Sequence, residues 1–310
     1  MYKKIDFHVH YLTDQYRRFL MDHFGPKPEN FKTPDWDIQK QLDCMEENQI
    51  VYALLGISSP YFCCGDTEKT IEAVRENNKE ISSLLKGYEK RMGYLAALPM
   101  PDIRRSLEEI EKSMEEGAKG FTVNTHSDGI YLGNPILDPI MEKWDSLGSI
   151  VHIHPTEPSD VPEDVCTDFP IPAMEFFFDT TRTFVNMCLT DVFVRYPNIC
   201  FIFSHAGAFV PFLSDRLEVF FKNFTVNKPD LEQALRHVYF DVAGYAEPKQ
   251  LDVLLNAASE DHILYGSDFP HTAPATVRKN SEALENTGKM SEPLKEKIFL
   301  TNGEHLLSSL

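Results

Sequence analysis

The chain is short of positive charge. Its 310 residues carry 30 Lys and Arg against 48 Asp and Glu, a formal net charge of −18. A phosphate-backbone partner needs a basic face, so no nucleic acid is expected as a ligand. Docking on an anionic membrane surface is disfavoured for the same reason. The sequence also lacks any apolar run near the roughly 20 residues that span a bilayer. Met1-Tyr2-Lys3-Lys4 leads into a run far too short for a secretory signal. Six cysteines, Cys44, Cys63, Cys64, Cys166, Cys188 and Cys200, show no C-x-x-C spacing. Free thiols in a reducing cytoplasm are the expectation. No internal linker or low-complexity tract interrupts the chain, which points to one domain over residues 1–310.

What the sequence does have is alternation. Ile5–His10 reads as a strand. An irregular segment follows to about Pro34, punctuated by Gly25, Pro26 and Pro28, and reads as a small insertion over one end of the fold. Asp35 is the expected cap of a helix to Asn48. Ile50–Ile57 is an apolar run of strand length, the type buried on both faces of a parallel sheet. A helix from Asp66 or Thr67 to about Lys86 comes next. Strands are expected at 92–98, 121–124, 149–154, 199–205, 237–242 and 263–266. Helices are expected at 103–116, 135–147, 173–195, 211–223 and 248–258, then onward to the C-terminus. The loop 155–172 has the length of a lid. Eight strands, each followed by a helix, predict an α/β fold of the (β/α)₈ barrel type.

In such barrels the working residues sit at the C-terminal ends of strands. The first strand ends in His8-Val9-His10, and side chains at i and i+2 share a face. Two imidazoles one pleat apart can converge on one metal ion. With 11 His in 310 residues, chance alone gives about 0.4 His-x-His pairs per chain. Context raises the signal. Asn124 and His126, His154, Ser204-His205, Asp241 and Ser267-Asp268 all fall at or just beyond expected strand ends, and five of the eleven histidines gather there.

The motifs Asp6-Phe7-His8-Val9-His10, Val151-His152-Ile153-His154-Pro155, Phe178-Asp179-Thr180-Thr181-Arg182, the run from Phe203 to Phe212 that contains Ser204-His205-Ala206-Gly207, and Tyr265-Gly266-Ser267-Asp268-Phe269-Pro270 resemble the amidohydrolase superfamily. Within it they resemble the branch of aminocarboxymuconate-semialdehyde decarboxylase and 6-methylsalicylate decarboxylase. The resemblance implies metal ligands His8, His10, His154 and Asp268, with His205 and Asp268 as catalytic groups. It implies one divalent transition metal, with zinc expected first and manganese second. Lys119 stands before the fourth strand rather than at its end, so the second, lysine-bridged metal of some superfamily members is not expected. Relatives with a glutamate in place of the second histidine differ from this chain, which has His10.

A metal-dependent decarboxylase of an aromatic or unsaturated carboxylic acid is the function the resemblance implies. A hydrolase or hydratase of lactones or amides using the same metal-bound water is the alternative. Arg182 and Arg216 are the expected cations for a substrate carboxylate, since Arg pairs with carboxylate bidentately. Arg216 matches an arginine that, in this branch, reaches a neighbouring subunit, which implies a homodimer. Many relatives have an arginine in the loop before the first helix; here Lys27 and Lys32 stand there. His126 is expected to contact substrate. Phe178, with Phe176, Phe177 and Phe212, is expected to wall an aromatic ring. His152 is expected to be an interior histidine, and His271 a loop residue close to Asp268.

Overall fold

β1 (Lys4–His10) is buried along its whole length. It pairs in parallel with β2 (Ile50–Gly56), which pairs with β3 (Met92–Tyr94). A second parallel sheet runs β4 (Phe121–Asn124), β7 (Ile150–His154), β8 (Cys200–Phe203), β9 (Tyr239–Asp241) and β10 (Ile263–Leu264). A small antiparallel hairpin, β5 (His126–Ser127) and β6 (Ile130–Tyr131), extends the loop after β4. Single bridges join the two sheets on both sides, Ala96 to Phe121 and Val9 to Phe269. Phe7 N–H donates to Tyr265 C=O at 3.0 Å and His10 N–H to Phe269 C=O at 2.7 Å. The eight parallel strands thereby form a (β/α)₈ barrel. The computed structural model describes residues 2–162 and 164–308.

Ile150, His152 and His154 share a strand face, as do Ile202 and Ser204, and Leu264 and Gly266. Leu54, Leu95, Ile150, Ile202 and Leu264 belong to one buried cluster. The barrel interior is therefore apolar in its lower part and polar at the strand C-termini. The second strand faces pack outward on helices in the larger core, where Phe121 stacks on Trp144 at 6.0 Å.

The helices are α1 (Asp14–Phe24), α2 (Ile38–Glu47), α3 (Thr67–Leu84), α4 (Ile103–Glu115), α5 (Asp138–Leu147), α6 (Glu175–Leu189), α7 (Val192–Arg195), α8 (Val210–Phe224), α9 (Leu231–His237), α10 (Gln250–Ala257), α11 (Pro274–Asn286), α12 (Glu292–Glu296) and α13 (Asn302–Ser308). Several boundaries differ from expectation. The segment after β1 is not irregular throughout. Thr13 caps α1 by accepting from Tyr16 N–H, and Tyr16, Phe19 and Leu20 bury one face. Asp37, not Asp35, caps α2, while Asp35 pairs with Arg17 and Lys40. The helix expected to run to Arg195 breaks at Asp191, whose φ is 56°. The strand expected from His237 starts at Tyr239, because Asp230 caps α9 across the preceding residues. The C-terminal helix is interrupted until Ser291 caps α12. Its expected last two residues lie outside the described residues, as does Glu163 of the expected lid loop.

Candidate active site

The barrel brings His8, His10, His154, His205 and Asp268 together at its C-terminal mouth. His8 and His10 leave β1 on one face, with ring centroids 4.9 Å apart. His154 ends β7, its ring 5.4 Å from His8 and 5.0 Å from His10. His205 follows β8, 4.8 Å from the His8 ring. Ligand-capable atoms of His8, His10 and Asp268 lie within 4.8 Å of one another, and so do those of His8, His154 and His205.

The outer nitrogen of each candidate ligand histidine, His8, His10 and His154, is already engaged. Nδ1 of His8 lies 2.8 Å from Asp241 Oδ2, Nδ1 of His10 lies 3.3 Å from Gly56 C=O, and Nδ1 of His154 lies 2.7 Å from Pro155 C=O. Carbonyls and ionised carboxylates only accept, so each Nδ1 carries a proton and each Nε2 is the atom left to offer a lone pair to an ion. Nε2 of His8 and of His10 are buried without a hydrogen-bond partner. They face Asp268 Oδ1 at 3.5 and 3.3 Å. Lone pairs turned toward an anionic oxygen repel unless a cation lies between them. The spacing suits one, since donors around a tetrahedral ion at 2.0–2.1 Å sit about 3.3 Å apart. The residues present therefore fit a transition-metal ion, with His8, His10, His154 and Asp268 as donors.

The electrostatics make the same demand. Burial disfavours charge on His8, yet the Asp241 and Asp268 carboxylates outweigh it and raise the imidazole to about 10, so that without an ion a proton on Nε2 supplies the positive charge Asp268 demands. His10 is lowered to about 3 by burial, with His8 and His271 adding to the effect against Asp268. Burial and the cationic His8 lower His205 to about 4, which leaves it neutral and able to accept a proton. Burial opposes charge on Asp268, but His10 and His8 hold it well below the usual carboxylate range.

Backbone strain collects here. His205 has φ 55° and Asp268 φ 58°, in the left-handed region that non-glycine residues visit at a cost of about 1–3 kcal/mol. Local bonds hold both. His205 N–H donates to Asp241 Oδ1 at 3.1 Å, and Gln250 Nε2 donates to His205 C=O at 2.6 Å. Thr272 donates through Oγ1 to Asp268 Oδ2 at 2.8 Å and through N–H to Asp268 C=O at 2.7 Å. Gly266 lets the last strand approach β1, since a Cβ there would lie 2.6 Å from His8 Cβ.

A cavity of about 1060 Å³ opens above the cluster. His154, His205 and Asp268 face it, whereas His8 and His10 lie outside its lining. Phe176, Phe177 and Phe212 line it as expected, and His271, bonded through Nε2 to Ser58 Oγ at 2.8 Å, lines it too. The expected substrate contacts lie elsewhere. Phe178 is 44% exposed and packs on Phe209. Arg182 is bound to Asp179 at 3.2 Å and to Tyr131 OH at 3.4 Å, so the Asp179–Arg182 motif braces α6 against the β5–β6 hairpin. His126 donates through Nε2 to Glu157 C=O at 2.9 Å. Arg216 lies over the Phe220 ring at 4.8 Å on α8. None of these four residues lines the cavity of this chain.

A family model described as amidohydrolase matches residues 5–308. The chain belongs to the amidohydrolase family. A crystal structure described as amidohydrolase II is similar at a TM-score of 0.96 and 39% identity, covering 99% of this chain and 100% of that one. The 6-methylsalicylic acid decarboxylase of Penicillium expansum is 28% identical over 291 residues, 91% of this chain and 89% of its own. A dihydroxybenzoic acid decarboxylase from Polaromonas sp. JS666, solved with bound manganese and the inhibitor 2-nitroresorcinol, is 21% identical at a TM-score of 0.83, covering 99% of this chain and 97% of that one.

Two residues of this amidohydrolase site carried no assigned role in the sequence. Asp241 was visible only as a polar strand end, yet it also bonds His152 Nε2 at 3.2 Å and so holds three histidines. Glu29 comes from the segment after β1 with φ 54°. Its Oε1 accepts from Ser59 Oγ at 2.5 Å, Glu157 N–H at 2.8 Å and Thr156 Oγ1 at 3.2 Å. It ties three loops together at the cavity wall, and burial raises its carboxyl to about 7. Nothing local in Pro28-Glu29-Asn30 signals this. Among the described residues no helix is long and apolar enough to cross a membrane.

Proposed function

We propose that this amidohydrolase, as one domain over residues 1–310, is a metal-dependent carboxy-lyase acting on an aromatic or unsaturated carboxylic acid. The observation that carries the reading is the facing of two unpartnered, buried Nε2 atoms and the Asp268 carboxylate beside an apolar cavity. The decarboxylase activities named for the relatives support the lyase over the hydrolase alternative. His8, His10, His154 and Asp268 hold one divalent transition-metal ion. The imidazole-rich donor set suits zinc, and the manganese of the Polaromonas relative is the competing assignment. When bound, the ion would supply positive charge to hold the acid end of the substrate.

The chain's own groups do the rest. His154, His205 and Asp268 meet the substrate at the inner end of the cavity. Phe176 and Phe177 exclude water and hold the ring, with Phe177 nearly parallel to His205. His205 or Asp268 takes up a proton from solvent and passes it to the carbon bearing the carboxylate, which interrupts conjugation. The C–C bond breaks, its electron pair returns to the ring, and CO₂ leaves. His205, neutral in its buried position, takes up and passes on that proton as general acid–base groups do.

The active species is a homodimer in this proposal. Phe220 and Phe224 of α8, which lie outside the cavity lining, are exposed at 43% and 75%, at spacings that share one helical face with Arg216. That face would place Arg216 at the partner's cavity. Elemental analysis, a CO₂-detecting screen of hydroxybenzoates and sedimentation velocity test the three parts. Folded protein without a stoichiometric transition metal would refute the reading.

A further inference from the structure

The cavity is large for the chemistry at its inner end. Pockets that bury drug-sized ligands span about 300–1,000 Å³, and this one reaches about 1060 Å³. A single substituted ring held at His154 and Asp268 would leave most of it to water. The outer wall is poorly suited to water. Phe31, Phe209, Phe212, Tyr245, Val253 and Pro172 line it, drawn from four separate segments of the chain. Phe212 and Tyr245 stand 73% and 71% exposed, and Phe31 38%. Large apolar side chains uncovered around a cavity mouth are stabilised by an apolar ligand part that removes them from water. The charged lining groups do not oppose this. Glu29 is occupied by Ser59, Thr156 and Glu157, and Lys249 belongs to the exposed rim.

We propose that the substrate is an aromatic carboxylic acid bearing an extended apolar substituent, a multi-carbon alkyl chain or a second ring, that fills the outer chamber. The proposal rests on the carboxy-lyase reading for the head group alone. The acid end meets His154, His205 and Asp268, and the tail runs outward between Phe31 and Phe212 toward Tyr245 and Val253.

The test is calorimetric binding of 2-hydroxy-6-alkylbenzoates with methyl, propyl, pentyl and heptyl chains to the metal-loaded protein. Burying a methylene contributes about 0.8 kcal/mol, about fourfold in affinity. Kd is expected to fall about fourfold per methylene through at least the pentyl compound. In the Val253→Trp variant, which fills the chamber, and in Phe212→Ser, an exposed position that folding does not need, the increment per methylene is expected to shrink. A Kd that is flat or rises with chain length overturns the proposal, as does the absence of binding by every member. A clear chain-length ladder without CO₂ release supports the proposal while refuting the lyase reading. CO₂ release from the methyl compound with a flat ladder does the reverse.

Discussion

Asp241 Oδ2 lies 2.8 Å from His8 Nδ1, while Oδ1 accepts the backbone N–H of His205 at 3.1 Å and of Ala243 at 3.0 Å. One buried carboxylate thus orients the His8 ring and fixes the backbone of His205 beside it.

Replacing Asp241 by Asn should separate these tasks. The amide oxygen still serves the backbone donors, but an NH₂ facing His8 Nδ1 forces the proton to Nε2 and removes its lone pair. Metal affinity is expected to fall about 10–100-fold, read by competition with a chromophoric chelator, with the far-ultraviolet spectrum preserved. Unchanged affinity would separate Asp241 from the metal centre.

His205→Asn tests the proton carrier. Asparagine tolerates the left-handed φ of 55° better than most residues. CO₂ release is expected to fall about 10²–10⁴-fold while metal stoichiometry stays at that of the parent protein. Loss of the metal would instead make His205 a ligand, since its ring also lies within reach of His8 and His154.

The gathering of these polar strand ends at one mouth was legible in the sequence from strand periodicity, while their division into ligands and proton carrier is what the family resemblance implies. His8 and His10 need only a pleat, and His154, His205 and Asp268 only the rule that barrel strands end at one face. Asp241 and Glu29 were not legible as site residues, because each acts through partners far away in sequence. Glu29 meets Ser59 and Thr156 at separations of 30 and 127 positions. Arg182 misled for the opposite reason: a near neighbour, Asp179, occupies it. Helix α1 was hidden by Gly25, Pro26 and Pro28, which lie just beyond its end, although Thr13 and the Tyr16–Phe19–Leu20 spacing announce it.

The Glu29 contacts should respond to pH. Burial raises the carboxyl from 4.5 to about 7, so the folded chain holds this proton more tightly than the unfolded one. The contribution to stability is full below about pH 4.5 and is lost as pH rises through about 7. Hydrogen exchange in residues 26–34 is expected to quicken, relative to its intrinsic rate, between pH 5 and 8. Glu29→Gln should flatten that dependence, and an equal dependence in the variant would show another group to be responsible.

Gly266→Ala places a Cβ against His8 Cβ at 2.6 Å, with Ala243 Cβ at 3.0 Å. Overpacking of this kind costs about 1–3 kcal/mol. A lower Tm with weakened metal binding is expected in thermal unfolding with and without added metal. A variant matching the parent in both would show that β1 has room to move.

The central claim is tested most directly by stripping the protein of metal with a chelator, restoring one divalent ion per chain, and measuring CO₂ released from 6-methylsalicylate and its longer 6-alkyl homologues. CO₂ release that vanishes on stripping and returns with one equivalent of zinc or manganese is the predicted result. CO₂ release that survives complete removal of the metal, or a folded, fully loaded protein that binds these acids and releases none, would contradict it.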